Sequence, residues 1–245
     1  NPASNQWRTF SFENFIEDPV DDEIGFYDIA VDNNTETKWI GSAKNGLIAF
    51  NENESTRIKQ IVDERQGLPT EVIKSLAIDN SGQLWIGTKN GLRILFNTSG
   101  FFEDEDIVVE PIIFIEDGLA RELLENQTIT DIEVDGSNNK WLGTLDSGVF
   151  YFTPNGQTTI YHFTKDNSPL PTNAINDISI DESNGTVYFS TPNGLLSFRA
   201  GGSATVEELT DAYAYPNPVR PEYNILGASD LNDINKGVKI VGLTE

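Results

Sequence analysis

The sequence has no cysteine and no methionine, and it has one histidine, His162, among 245 residues. Without cysteine the chain has neither a disulfide framework nor thiolate chemistry. One histidine cannot supply the several nitrogen or sulfur ligands of a zinc site. No run of the sequence approaches the roughly 20 apolar residues of a membrane-spanning helix. These absences exclude many enzyme classes and predict that this part of the protein lies in water.

Basic residues are also scarce, because 16 Lys and Arg stand against 39 Asp and Glu, for a net charge of −23. Nucleic-acid affinity is built from clustered Lys and Arg, so we expect no nucleic-acid partner. Hydrophobic residues nevertheless make up 38% of the chain, which is enough for a folded core. The chain starts at Asn1 without a methionine, and we expect it to be a piece of a longer protein.

A short pattern centred on an aromatic residue occurs four times along the chain. Its centres are Trp39, Trp85, Trp141 and Tyr188, which lie 46, 56 and 47 positions apart. Before each centre an alternating apolar segment ends in Asp, and after each a turn with Gly precedes another apolar run. Alternation with period two indicates strands, and Asn-Gly between apolar runs indicates a tight hairpin turn. Each unit is therefore predicted to contain three consecutive antiparallel strands.

The segments that connect the units also alternate, and they predict a fourth, outer strand at residues 57–62 and 159–164. Four strands at a period of roughly 40–50 residues are typical of a propeller blade. We therefore predict an all-β fold, a β-propeller over residues 1–209 with four recognisable blades that are part of a larger ring. Residues 6–12 are interpreted as the outer strand of a preceding blade, and residues 120–127 are the one candidate helix. The exposed edges of the end blades predict edge-to-edge pairing of two copies.

The units resemble the two-component-regulator propeller repeat of Bacteroidota. In that repeat a Gly-Leu-Pro linker leads to a strand ending in Asp, then to a Leu-Trp-Ile-Gly-Thr strand, and then to an Asn-Gly-Leu strand. The corresponding residues here are Gly67-Leu68-Pro69, Leu84-Trp85-Ile86-Gly87-Thr88 and Asn90-Gly91-Leu92. The resemblance covers about residues 25–200. It implies either the periplasmic sensor half of a hybrid two-component system or a secreted scaffold.

The tail resembles a second family. Residues 213–221, which read Tyr-Ala-Tyr-Pro-Asn-Pro-Val-Arg-Pro, are similar to the start of the C-terminal β-sandwich of type IX secretion proteins. Residues 237–243 resemble an early strand of that sandwich, so residues 210–245 are expected to be a linker and its first strand. A propeller followed by this segment is similar to the propeller subunits of the type IX secretion attachment complex.

These resemblances imply an exported, non-enzymatic scaffold of the periplasm or the outer-membrane surface, without a cofactor. Its partners would be envelope proteins, either a sortase-like protease or other secretion subunits, with lipopolysaccharide or an oligosaccharide as a further ligand. The alternative is a periplasmic propeller domain that senses an oligosaccharide for a hybrid two-component system.

Two sets of residues are candidate binding sites. The turns that begin with Asp32, Asp79, Asp135 and Asp181 carry oxygen atoms at alternate positions, as a Ca²⁺ loop does. Local hydrogen bonds from side chain to backbone explain Asp in such turns without a metal ion, and we favour that explanation. The second unit is ten residues longer than its neighbours, around an acidic loop with two Phe. That loop is either a partner-binding projection or a tolerated insertion, and its candidate contact residues are Phe101, Phe102, Asp104 and Asp106.

The aromatic centres and the histidine are interpreted as structural. Repeated Trp residues are expected to fill the space between neighbouring blades rather than to stack on sugar rings. His162 is expected to be a partly exposed residue of an outer strand. No motif supplies a nucleophile and no pair of carboxylates stands out, so the sequence assigns no catalytic residue.

Overall fold

The computed structural model describes residues 9–12, 25–54, 56–104, 106–116, 118–199, 213–215 and 239–241. These residues form short antiparallel sheets, and their one helical element is the 3₁₀ turn Glu64–Gln66. Within these ranges no helix is long and apolar enough to cross a bilayer. The predicted all-β propeller fold is confirmed.

The strands of each blade pair antiparallel in chain order. The first blade contains β1 (Phe26–Asp32), β2 (Thr37–Ser42), β3 (Leu47–Phe50) and β4 (Ile58–Ile61). The second contains β5 (Ile73–Ile78), β6 (Leu84–Thr88) and β7 (Gly91–Leu95), and a hairpin of β8 (Ile113–Glu116) and β9 (Leu119–Glu122) follows it. The third contains β10 (Ile129–Val134), β11 (Lys140–Thr144), β12 (Val149–Phe152) and β13 (Thr159–Phe163). The fourth contains β14 (Asp177–Asp181), β15 (Thr186–Thr191) and β16 (Gly194–Arg199), and β17 (Tyr213–Tyr215) pairs with β18 (Lys239–Val241) in a separate sheet.

The outer edges of the blades confirm part of the prediction and correct part of it. Segments 57–62 and 159–164 contain the outer strands β4 and β13, as predicted. In the second blade a single bridge between Ile94 and Glu110, with N to O distances of 2.8 and 2.9 Å, replaces the outer strand. The predicted helix at 120–127 is wrong, because β9 occupies its start and Leu124 and Asn126 have positive φ angles of 54° and 59°.

The Trp and Gly of each second strand join that blade to the next. The Trp side chains are at most 1% exposed, and they pack on the inner and second strands of the following blade. They are Trp39, Trp85 and Trp141. The Gly two positions later allows close approach, since a Cβ there would lie 2.8 to 2.9 Å from an isoleucine Cγ2 of the next blade. The pairs are Gly41 with Ile73, Gly87 with Ile129 and Gly143 with Ile175. The predicted packing role of the Trp residues is confirmed.

Apolar side chains are exposed on the outward sides of the first and fourth blades. Tyr188 occupies the same register position as the Trp residues but is 37% exposed. Ile29 and Val31 of β1 are more than half exposed, whereas the corresponding residues of β5 pack beneath Trp39. Edge-to-edge pairing of two copies stays a prediction.

The two ends of the chain are described only in part. Residues 9–12 are not in a strand, and the rings of Phe10 and Phe12 lie 4.4 and 6.3 Å from that of Phe50. Residues 6–8 of the predicted outer strand lie outside the described residues. Of the two tail motifs, only residues 213–215 and 239–241 are described, and they pair from Tyr213 with Val241 to Tyr215 with Lys239.

A buried ion pair joins the second and third blades. Lys140 Nζ lies 2.8 Å from Asp79 Oδ2, and both side chains are at most 1% exposed. The same ammonium donates to the carbonyl oxygens of Asn138 and Pro154 and lies 4.6 Å from the centre of the Trp85 ring. Burial raises the pKa of Asp79, but the hydrogen bonds and charge of Lys140 and two backbone N–H groups outweigh it and hold that pKa below its usual range.

Replacing Trp141 with Ala should lower the free energy of unfolding by about 3–5 kcal/mol, because it leaves a cavity between two blades. The Trp141 ring stacks on Tyr151 at 4.1 Å and lies 5.5 Å from Phe189 of the next blade. Tyr188→Ala at the equivalent exposed position is the control, with an expected loss under about 1 kcal/mol. Urea denaturation followed by circular dichroism measures both, and equal losses would contradict the role of Trp141 between blades.

Candidate functional site

A cavity of about 900 Å³ opens on one face of the propeller, beside the starts of the inner strands. Its walls come from the first residues of the inner strands and from the turns between second and third strands, because both lie at the same end of each blade. Among the residues that line it are Tyr27, Lys44, Lys74, Lys89, Thr130 and Asn176. Its volume falls within the range of small-molecule pockets, roughly 300–1,000 Å³.

A β-bulge at the same place in three inner strands presents one residue of each to the cavity. The strand registers shift between Phe26 and Asp28, and in the same way in β5 and β10, so that Tyr27, Lys74 and Thr130 have no cross-strand partner. A bulge redirects a side chain and is common beside functional sites. The register of β14 has no such shift, and Asn176 lines the cavity from the position just before that strand.

Backbone hydrogen bonds between blades fix the rim of the cavity. The turn glycines Gly46, Gly91 and Gly148 each donate to a carbonyl of the segment that enters the next blade, at 2.8 to 2.9 Å. Lys89 is held on both sides, since its N–H donates to the Val72 carbonyl and its own carbonyl accepts from Thr128 Oγ1 at 2.8 Å. The rim is therefore positioned before any ligand arrives, which lowers the cost of binding.

The lining is positively charged although the chain as a whole is strongly negative. Three lysines contribute to it, and Glu71 is the one carboxylate among the lining residues that the structure describes. Lys74 Nζ lies over the Tyr27 ring, 3.5 Å from its centre, a cation–π contact that fixes both side chains. These residues were not found from the sequence, because they lie outside the repeated motif. For the bulge residues the available signal was their position just before a polar residue near the start of each inner strand.

Polar side chains next to the cavity residues connect the inner strands of neighbouring blades. Asp28 Oδ2 accepts the N–H of Leu76 in the second blade at 2.7 Å, and Asp131 Oδ2 accepts the N–H of Ile178 in the fourth at 2.6 Å. Between them, Ser75 Oγ donates to Asp131 Oδ1 at 3.3 Å. We call Asp28, Ser75 and Asp131 the polar belt. It satisfies backbone groups that the ladders within the blades leave unpaired.

Carboxylates near the polar belt have raised pKa values. Burial raises the pKa of Asp131 to about 6, against the opposing effect of the Ile178 N–H, and repulsion from Asp177 and Asp28 adds to the increase. Burial also raises the pKa of Glu133 to about 7, and repulsion from Asp131 is the next largest cause. The carboxyl groups on the side of the belt toward the fourth blade therefore release their protons at a higher pH than free carboxyl groups do.

The four candidate calcium turns lie at the opposite end of the blades from the cavity. Each Asp accepts the backbone N–H of the residue two positions later, at 2.8 to 3.0 Å. Their second oxygens accept from Thr98 for Asp32, from Lys140 for Asp79, from Tyr151 for Asp135 and from Asn184 for Asp181. These contacts explain the aspartates without a metal ion, and among the described residues no group of three or more His, Cys, Asp or Glu could hold one.

The candidate partner loop of the second repeat is partly a core element. Phe101 is 1% exposed and packs edge-on against Trp39 at 4.7 Å, which corrects its assignment as a contact residue. Phe102 is half-buried against Phe101, and the Lys59 ammonium holds the loop through the carbonyls of Phe101 and Asp104. Asp104 and Asp106 are exposed and line a cavity of about 380 Å³. Their role in partner binding stays a prediction.

The true projection of the second repeat is the β8–β9 hairpin, which sequence reasoning missed. Ile113, Ile115 and Leu119 are 46%, 70% and 61% exposed, and the hairpin forms a sheet of two strands only. Its base is fixed by the Leu123 N–H, which donates to the Ile112 carbonyl, and by an ion pair of 3.1 Å between Arg93 and Glu122.

Lowering the pH from about 8 to about 5 should stabilise the protein, because the raised folded-state pKa values make the folded state bind more protons in this window. That stability is lost as the pH rises through the folded pKa of Glu133, about 7. Glu133→Gln should raise the free energy of unfolding near pH 8 by about 1–3 kcal/mol and flatten the profile. Urea denaturation across the pH range measures this, with the exposed Glu103→Gln as control. An unchanged profile in Glu133→Gln would contradict the assignment.

Comparison with known proteins agrees with the propeller fold. A model of the two-component regulator propeller family matches residues 67–90, from the Gly-Leu-Pro linker to the turn after β6. No curated protein sequence matches the chain. Two extracellular domains of Bacteroides thetaiotaomicron proteins described as hybrid two-component systems, BT4673 and BT3049, have TM-scores of 0.55 and 0.54 at 19% and 20% identity. Each match covers 71% of this chain, and 23% and 22% of those chains.

PorZ of Porphyromonas gingivalis, described as an essential surface component of the type IX secretion system, is similar over 100% of this chain. The TM-score is 0.72 at 25% identity, and the match covers 33% of the PorZ chain. The chain thus spans about a third of the length of PorZ. It is an all-β propeller that carries a two-component-regulator propeller repeat and is similar along its whole length to PorZ.

Proposed function

We propose that this protein is a non-enzymatic, exported scaffold that takes part in cargo attachment in type IX secretion, as a PorZ-like component. The observation that carries the proposal is the extent of the similarity: all of this chain with PorZ, but 71% of it with the sensor domains. The Tyr-Ala-Tyr segment of the tail, which forms β17, adds support from the sequence. Export agrees with the surface and extracellular location of these relatives.

The surface we propose for partner binding is the β8–β9 hairpin. Its exposed isoleucines form an apolar patch on a ribbon to which no third strand pairs in the described part of the chain, and such edges readily accept a further strand. Residues 97–127 contain nine acidic residues and one basic residue, so the fitting partner surface is basic with apolar side chains. Envelope proteins of the secretion system, including a sortase-like protease, are the proposed partners.

The geometry of the single histidine favours a non-enzymatic role. His162 lies on β13, where its ring stacks on Phe150 at 3.9 Å and its Nε2 donates to the Ser147 carbonyl at 2.8 Å. Both contacts are those of a residue that holds neighbouring segments of one blade. The predicted location on an outer strand is confirmed.

A second candidate function is an oligosaccharide-sensing propeller domain, and the cavity favours it. The cavity combines an aromatic ring with hydroxyl, amide and ammonium groups, which suit a polyhydroxylated ligand. The likeness to the two Bacteroides domains supports the fold of such a sensor.

The hairpin proposal predicts that Ile115→Asp lowers partner recovery about ten-fold or more, because a charge replaces the more exposed of the two isoleucines of the patch. The purified chain is used as bait on a detergent-solubilised envelope fraction, and retained proteins are identified by mass spectrometry. Leu195→Asp, at an equally exposed apolar residue of the fourth blade, is the matched control and should retain the partners.

Three outcomes decide between the candidate functions. Recovery of a sortase-like protease or other secretion subunits, lost in Ile115→Asp alone, supports the scaffold. The same recovery from all three baits would keep the scaffold and exclude the hairpin. Recovery of no envelope protein, together with a higher melting temperature in soluble oligosaccharide, would support the sensor instead.

A further inference from the structure

The lysine-lined cavity is a built feature of the fold, and its charge is opposite to that of the chain. Only 16 of 245 residues are Lys or Arg, yet three lysines line this one cavity with a single carboxylate, Glu71, among its described residues. We infer that the cavity binds an acidic saccharide, with Lys74 and Lys89 contacting its carboxylate, phosphate or sulfate groups. That the ligand is a saccharide rests on the second candidate function above, and that the saccharide is acidic goes beyond it.

The two lysines are held in different ways. Lys74 is a bulge residue of β5, and its ammonium lies against Tyr27 rather than against a carboxylate. Lys89 is exposed; its backbone N–H donates to the Val72 carbonyl of its own blade, and its carbonyl accepts from Thr128 in the segment that leads into the next blade. In the described part of the chain neither ammonium forms an ion pair, so neither has to break one before it binds an anion. A lysine ammonium is a common binder of phosphate and carboxylate groups.

The remaining lining matches the neutral parts of a saccharide. Asn176 offers an amide that both donates and accepts hydrogen bonds, and the Thr128 hydroxyl, which donates to the Lys89 carbonyl, can still accept one from a sugar hydroxyl. Tyr27 is half exposed and adds an aromatic edge, while Leu145 supplies apolar surface for the C–H faces of a sugar ring. About 900 Å³ holds several sugar units, whereas a lone inorganic anion would leave most of the cavity unused.

The acidic residues of the polar belt do not cancel this site. Asp28 and Asp131 follow the cavity residues in the chain, but each directs an oxygen to a backbone N–H of the next blade. Their carboxylates therefore face the seams, where neighbouring blades meet, rather than the cavity. Lys74, on β5, and Lys89, in the turn after β6, instead line the open cavity that a ligand would enter.

Isothermal titration calorimetry with matched saccharides tests the inference. Trigalacturonic acid and neutral galactotriose have the same length and ring type and differ in the carboxylates, and lipopolysaccharide micelles present acidic sugars on a lipid. We expect the acidic trisaccharide to bind about ten-fold or more tightly than the neutral one, with an affinity that falls as salt is added. Binding to the micelles but not to the soluble acid would assign the same chemistry to a lipid-linked ligand.

Variants locate the site. Lys74→Gln and Lys89→Gln should each weaken binding of the acidic ligand about ten-fold, since each removes one charge-assisted contact. Lys38→Gln removes the same charge at the start of β2, at the far end of the blade, and should bind as the parent does. Circular dichroism and the melting temperature establish that each variant is folded. Because Lys89 is exposed, Lys89→Gln alone tests the site if Lys74→Gln does not fold.

The remaining outcomes separate the two parts of the inference. Equal affinity for the acidic and the neutral trisaccharide would keep saccharide binding and overturn the acidic class. Binding of the acid that survives both lysine substitutions would place the site outside this cavity and overturn the inference. Binding of none of the three probes would overturn the inference together with the saccharide-binding function, and it would leave the scaffold proposal to the bait experiment.

Discussion

The contact between the Trp-containing second strand of one blade and the inner strand of the next is the constraint on which this structure depends. A blade of three or four strands buries too little apolar surface to be stable alone, so its exposed side must be covered by its neighbour. The Trp side chain is almost fully buried in this contact, and the Gly two positions later lets the next strand approach to van der Waals distance. Because these contacts recur in each seam between neighbouring blades, the starts of the inner strands converge and create the cavity.

Polar contacts determine how the blades are aligned once the apolar seams have formed. The polar belt links one inner strand to the next through Asp28, Ser75 and Asp131, where the strands share no backbone ladder. At the other end of the blades Lys140 reaches across a seam to Asp79, which also accepts from the Trp85 indole N–H. Each contact satisfies a group that would be costly to bury alone, so loss of one partner disturbs both blades of that seam.

Much of the fold could be predicted because the same pattern of strands and turns occurs four times in the sequence. The alternation around Trp39, Trp85 and Trp141 defines strands, and the Gly-containing turns define hairpins. The second repeat could not be predicted in the same way, because its outer edge is shaped by tertiary contacts. Phe101 is buried because Trp39 leaves space beside it, and residues 119–122 pair with β8 instead of continuing as a helix. Neither contact has a counterpart in another repeat.

The candidate site was harder to predict than the fold because it depends on register. A bulge is visible only when two strands are aligned residue by residue, and it alone explains why Lys74 faces the cavity while the next residue, Ser75, faces a seam. The residues that hold the blades together and the residues that line the cavity thus occupy adjacent positions with different neighbours. Bulge and turn positions can change from repeat to repeat without loss of the Trp and Gly contacts, so ligand preference can vary while the framework stays the same. The hairpin lies at the outer edge of the second blade, which leaves the cavity face free for a second ligand.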